Sequence, residues 1–178
     1  MKLWKNFLRP AAVLMVICLL VGAALAAVNA TTAPIIAANE TASLNETYYA
    51  VLPEADRFEM LECSIAGVTA VLRAENGAGY VITAQSRGYG GQVPAAVAFD
   101  AEGGILRVVM MSNDETPGLG QKVTEQSFTD QFSGRKAEQM TLSDIDAISG
   151  ATISSKAALS AVNLACEAFQ AVAGGAES

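Results

Sequence analysis

Ser149-Gly150-Ala151-Thr152 stands directly before the most regular helical pattern in the chain and delivers a hydroxyl to a helix start. Backbone N–H groups there lack intrahelical acceptors, and the helix dipole adds partial positive charge. An anion such as a phosphate is stabilised at such a place. The plain alternative is a helix start capped by Ser149 or Thr152. A second segment is Glu115-Thr116-Pro117-Gly118-Leu119-Gly120. Pro117 fixes one turn dihedral, and two glycines leave room for a flat ring system. A third is Arg87-Gly88-Tyr89-Gly90-Gly91, where three glycines around a tyrosine admit a ligand close to backbone or simply make a tight turn.

Taken singly, each segment is a loop. Together and in this order they resemble the FMN-binding domain of the G subunit of Rnf complexes and the C subunit of Na⁺-pumping NADH:quinone reductases. The resemblance covers the chain from about Gly88 to Phe169. It implies FMN joined through its phosphate to the threonine of Ser-Gly-Ala-Thr, here Thr152, an attachment point and not a turnover nucleophile. It implies that Ser149, Gly150 and Ala151 surround the attachment point, with Ser154 and Ser155 offering hydroxyls to the phosphate. Glu115, Thr116, Gly118, Leu119 and Gly120, with Gly88 and Tyr89, would border the ring. Asp146 would belong to the recognition signal of a separate flavin transferase. Lys156 is close enough in sequence to assist the phosphate. Members of the family often carry a histidine just before Glu-Thr-Pro-Gly-Leu-Gly; this chain has Ser112-Asn113-Asp114 there. The single anchor and the length look more like the Rnf member of the family than its longer counterpart. The expected partners are the other subunits of an Rnf-type complex, relaying electrons between ferredoxin and NAD⁺. The alternatives are a free-standing extracytoplasmic flavoprotein and a non-redox anchored binding module.

Composition narrows the classes independently. The 178 residues include no histidine. That removes His-based triads, most catalytic zinc sites and haem ligation by His. Cys18, Cys63 and Cys166 form no CxxC pair, so neither an iron–sulfur nor a zinc site is expected. Cys63 and Cys166 either pair or stay as buried thiols. Lys2, Lys5 and Arg9 are the only charges before Glu40. Without them the chain is strongly acidic, at about −10, which disfavours nucleic acid and anionic lipid.

Pro10 to Val28 is an apolar run without a charge. At ~1.5 Å per residue it is long enough for a ~30 Å hydrocarbon core. The basic residues precede it, so the positive-inside bias puts the N-terminus in the cytoplasm and the rest outside the cell membrane. A cleaved signal peptide is the competing reading, although the run exceeds the usual ~7–15 apolar residues. With no ionisable residue in the run, ion movement would fall to partner subunits. The chain thus divides into a start and anchor (1–30), a linker (31–45) and an FMN-binding domain (46–178).

Within that domain the spacing predicts one or two helices over Asn45–Glu62, interrupted at Pro53. Val68–Glu75 with Tyr80–Gln85, and Val93–Phe99 with Ile105–Met111, read as two hairpins, the second central in the sheet because its strands are continuously apolar. Thr124–Phe132 reads as a short helix capped by Thr124, and 133–148 as irregular or strand-like. Ile153–Val172 is the clearest helix, with Leu159, Val162, Cys166 and Phe169 on one stripe. The fold class is α+β: one transmembrane helix, then an antiparallel sheet with flanking helices.

Overall fold

A computed structural model describes residues 2–174. The chain divides into two units, Met1–Asn45 and Glu46–Ser178. Helix α1 is Lys2–Val51. Its segment Ala11–Thr32 has a mean hydropathy of 2.8, with none of its strongest window buried, and fits a membrane anchor. The backbone of 31–45 is also helical.

The second unit is built on five antiparallel strands: β1 (Phe58–Leu61), β2 (Val68–Ala74), β3 (Tyr80–Arg87), β4 (Gln92–Phe99) and β5 (Ile105–Met110). They lie in chain order, each paired with the next, so β3 is the middle strand. After β5 come the short helix α2 (Gln126–Thr129), flanked by 3₁₀ turns, and the long helix α3 (Thr152–Gly174).

Helix α3 packs on one face of the sheet. Ala157, Ala158, Ala161, Val162, Ala165, Cys166 and Phe169 bury against Ile82, Ala84, Ala95, Val97 and Phe99. The alanines let the helix approach the sheet closely, and the Phe169 ring stacks on Phe99 with centroids 5.0 Å apart. All four residues of the expected stripe are buried. On the other face Leu72, Ala74, Val81, Ala96 and Ala98 are buried too, as are Tyr48, Val51, Leu52 and Ala55. Arg107 of β5 donates to the Ala50 carbonyl there at 2.7 Å. Burial on both faces explains why β4 lacks alternation.

Three expectations are corrected. The stretch expected to be helical to Glu62 ends its helix at Val51. Pro53 forces the residue before it out of helical geometry, and Phe58–Leu61 pairs with β2 as an edge strand. The second hairpin is not central, because β5 is the outer strand. Its apolar character follows from the covering of its outer edge: Gly134 and Ala137 donate to Ile105 and Gly103, and Ile105 donates to Arg135. The single helix expected over Thr124–Phe132 is a 3₁₀ turn (Gly120–Thr124), α2 and a second 3₁₀ turn (Asp130–Phe132). Thr124 is no cap; its hydroxyl donates back to Gln121 O at 2.8 Å. Residues 133–148, expected to be irregular or strand-like, are irregular, with one 3₁₀ turn, Leu142–Asp144, and a single bridge from Lys136 to Gly104.

Cys63 and Cys166 are both free thiols. Burial pushes the Cys166 thiol up to about 12.

Candidate functional site

The three glycine-bearing segments, far apart in sequence, meet at the N-terminal end of α3. A cavity of about 410 Å³ lies there, lined by Tyr89, Thr116, Leu119, Gly120, Gly150, Ala151, Thr152, Ile153 and Ser154. That volume lies within the range of small-ligand and cofactor sites, about 300–1,000 Å³.

Each wall follows from local sequence. Gly88 N–H donates to Gly91 O at 2.7 Å, which closes the β3–β4 hairpin and holds Tyr89 at its tip, 71% exposed. The Glu115–Gly120 loop turns back on itself, with Leu119 and Gln121 N–H groups both donating to Thr116 O at 3.1 Å. Gly150 has φ +79°, a left-handed conformation that suits glycine. This bend brings Ala151 to the N-cap position of α3, where its carbonyl accepts the Ser155 amide at 3.0 Å. Neither Ser149 nor Thr152, the two residues a plain helix start would use, stands at the cap. Alanine is among the poorest N-caps because it offers no acceptor. The N–H groups of Thr152, Ile153 and Ser154 therefore have no intrahelical acceptor and no cap side chain, in a site open to an anion.

Glu115 is the buried charge behind this cavity, 1% exposed. Its Oε1 accepts the Gly90 amide at 2.8 Å and, at 3.4 Å, that of Gly91. Its Oε2 accepts the Ser154 hydroxyl. Burial alone would raise its pKa. The hydrogen bonds from Ser154 and the Gly90, Gly91 and Tyr89 amides outweigh burial, so the carboxyl sits below its ordinary value and is ionised at neutral pH.

The structure brings Tyr89, Thr116, Leu119, Gly120, Gly150, Ala151, Thr152 and Ser154 to one cavity. Five expected residues lie off its walls. Glu115 and Gly88 are behind it, in contact with each other. Gly118 and Ser149 are off the walls as well, and Ser155 is fully buried. The hydroxyls of Ser154 and Ser155, expected as phosphate donors, are directed elsewhere. Ser154 donates to Glu115, and Ser155 donates to Ala151 O at 3.1 Å. Asp146 is exposed, and its backbone N–H donates to Gln131 Oε1 at 2.7 Å. Lys156 is exposed. Ile153 was missed. The sequence carried a signal for it, an apolar residue at the helix start and off the expected stripe, and the structure leaves it 55% exposed.

The residues present fit a flavin phosphate and ring. The donor groups are backbone amides at a helix start, the walls mix glycine, Leu119, Ile153 and the Tyr89 ring with Thr116 and Ser154, and the Thr152 side chain is exposed beside them.

Comparison with known proteins agrees with this arrangement. The FMN-binding domain family matches residues 88–167, and the RnfG N-terminal region matches residues 1–51. The chain is 33% identical to the G subunit of the proton-translocating ferredoxin:NAD(+) oxidoreductase complex of Clostridium ljungdahlii, over 91% of each chain. It is 30% identical to the G subunit of the Na(+)-translocating ferredoxin:NAD(+) oxidoreductase complex of Acetobacterium woodii, covering 94% of this chain and 93% of the relative. Among solved structures, Shewanella oneidensis NqrC shares the fold with a TM-score of 0.52 at 21% identity, over 70% of each chain. The apolar N-terminal helix, the antiparallel sheet and the cavity at the start of α3 thus belong to a member of the RnfG family, with an FMN-binding domain, from the ion-translocating electron-transport complexes of Rnf type.

Proposed function

We propose that this chain carries FMN covalently, joined through its phosphate to Thr152 Oγ1, as the electron-carrying subunit of an Rnf-type ferredoxin:NAD⁺ oxidoreductase. The observation that carries this reading is the helix start itself. Thr152 is exposed at the cavity, on a turn whose N-cap is alanine and whose first amides are left without partners in the helix.

When bound, FMN supplies the acceptance and release of electrons. The chain's own residues do the rest. Thr152 fixes the cofactor's position, and the amides of residues 152–154 face the phosphodiester charge. Tyr89, Leu119 and Ile153 line the cavity and would border the ring, shielding it from water. A tether outside the cytoplasm prevents loss of the cofactor by dilution, so tight burial is not required.

In this reading a separate flavin transferase loads the domain 46–178, which a linker (31–45) joins to the anchor. Lys2, Lys5 and Arg9 before the apolar segment keep the N-terminus in the cytoplasm and the flavin domain outside the cell membrane. The apolar span Ala11–Thr32 has no Asp, Glu, Lys or Arg, so ion movement belongs to the other subunits.

Fluorescence in a denaturing gel tests the attachment. Chain co-expressed with a flavin transferase is expected to fluoresce, and Thr152→Ala is expected to be dark at equal protein. Fluorescence in both would remove Thr152 from the account.

A further inference from the structure

We infer that Glu115 is the positioning residue of the flavin site: from behind the cavity its two carboxylate oxygens fix two separate walls against each other. The inference rests on the flavin reading for its functional consequence, while its structural half stands without it.

The geometry divides the carboxylate cleanly. Oε1 takes the amides of Gly90 and Gly91, at the tip that holds Tyr89. Oε2 takes the hydroxyl of Ser154, two residues beyond Thr152 in the first turn of α3. One side chain therefore sets the distance between the ring wall and the attachment turn. The packing is built around it. A Cβ at Gly88 would collide with Glu115 Oε1, and one at Gly120 would stand 2.8 Å from Ser154 Oγ and 3.0 Å from Glu115 Cβ. A charged acceptor is suited to the task, since hydrogen bonds to an ionised group are shorter and about twice as strong as neutral ones. The arrangement also accounts for Ser154, whose hydroxyl proton is committed to Glu115 and leaves the phosphate to the backbone amides.

The test uses the full chain in detergent, with Glu115→Ala, Glu115→Gln and Ser154→Ala each made in a Thr152→Ala background that holds no covalent flavin. Amide hydrogen exchange is read in peptides covering 88–91 and 152–155, the protected amide of the second being that of Ser155, which donates to Ala151 O. Losing a charged acceptor is expected to speed exchange about tenfold or more in both peptides for Glu115→Ala. Glutamine keeps an oxygen for Gly90 and Gly91 and an NH₂ for Ser154 Oγ, so Glu115→Gln should restore both to within about threefold. Ser154→Ala cuts one arm, and should loosen 152–155 while 88–91 stays protected. With Thr152 restored, FMN attachment should slow about tenfold in Glu115→Ala and recover in Glu115→Gln. Exchange that changes in neither wall, in one wall only for Glu115→Ala, or equally across the whole sheet overturns the positioning role. If Glu115→Ala does not fold, the contrast between Glu115→Gln and Ser154→Ala decides, and the same exchange in both overturns it. A chain that takes no FMN with Thr152 intact overturns the flavin reading instead, and is distinguishable because exchange is read without flavin.

Discussion

Ser155 Oγ accepts the Ile148 amide at 3.0 Å while donating to the Ala151 carbonyl at 3.1 Å, so one buried hydroxyl closes the Ser149–Thr152 turn onto its own helix. The turn that presents Thr152 is thus held from inside the helix. Ser155→Ala leaves a partly buried amide without its acceptor and is expected to destabilise the domain by about 1–2 kcal/mol. Urea unfolding followed by circular dichroism measures it. A change below about 0.5 kcal/mol would mean that the turn holds its shape without Ser155.

The glycines of the site are expected to separate by cause. A Cβ at Gly90 would run into the Asp114 carbonyl, whereas Gly118, at φ +71°, has open space around it. Gly90→Ala should therefore cost about 2 kcal/mol or more by overpacking, and Gly118→Ala about 1 kcal/mol by backbone strain alone. Thermal unfolding of the two variants side by side checks the order, and a larger loss at Gly118 would contradict it.

Acid should weaken the fold through Glu115. Its carboxyl is held below the ordinary 4.5 in the folded chain. The stabilisation is complete above the unfolded value and is lost as pH falls through the lower folded value. Stability measured from pH 6 to pH 3 should therefore decline below about pH 4.5, and Glu115→Gln should flatten that decline. An equal slope in both would assign the acid sensitivity to other carboxylates.

The same carboxylate sets a fixed negative charge behind the cavity. A group that gains electrons there does so against this charge. Glu115→Gln is expected to raise the flavin midpoint potential by on the order of tens of millivolts, as expected for one charge at short range in a medium of low polarity. Potentiometric titration of the loaded chain reads it, and an unchanged potential would remove Glu115 from electrostatic reach of the ring.

Much of this was legible in the sequence because local signals and tertiary outcome agree. The apolar stripe of α3 is the face that meets the sheet, and the turn residues Asn76-Gly77 lie at the tip of the β2–β3 hairpin. What escaped depended on partners distant in sequence. Phe58–Leu61 is only four residues long and shows no alternation, and only its pairing with β2 makes it a strand. The outer position of β5 was hidden by residues 134–137, which cover its edge and let it be apolar. In the site, Glu115 looked like a ring-bordering residue from its motif alone. Its place behind the cavity depends on Ser154, 39 residues away, and on Gly90, 25 residues away at the β3–β4 tip. The partners of Ser154 and Ser155 were hidden for the same reason: each hydroxyl has an acceptor that spacing cannot reveal.

The most direct measurement is the intact mass of the chain co-expressed with a flavin transferase, followed by fragment mapping of the adduct. The account predicts a gain of one FMN less one water, located on Thr152 and absent in Thr152→Ala, while circular dichroism shows the variant folded. An adduct on another residue, or an unmodified chain under conditions that load a known flavin-bearing substrate, would contradict it.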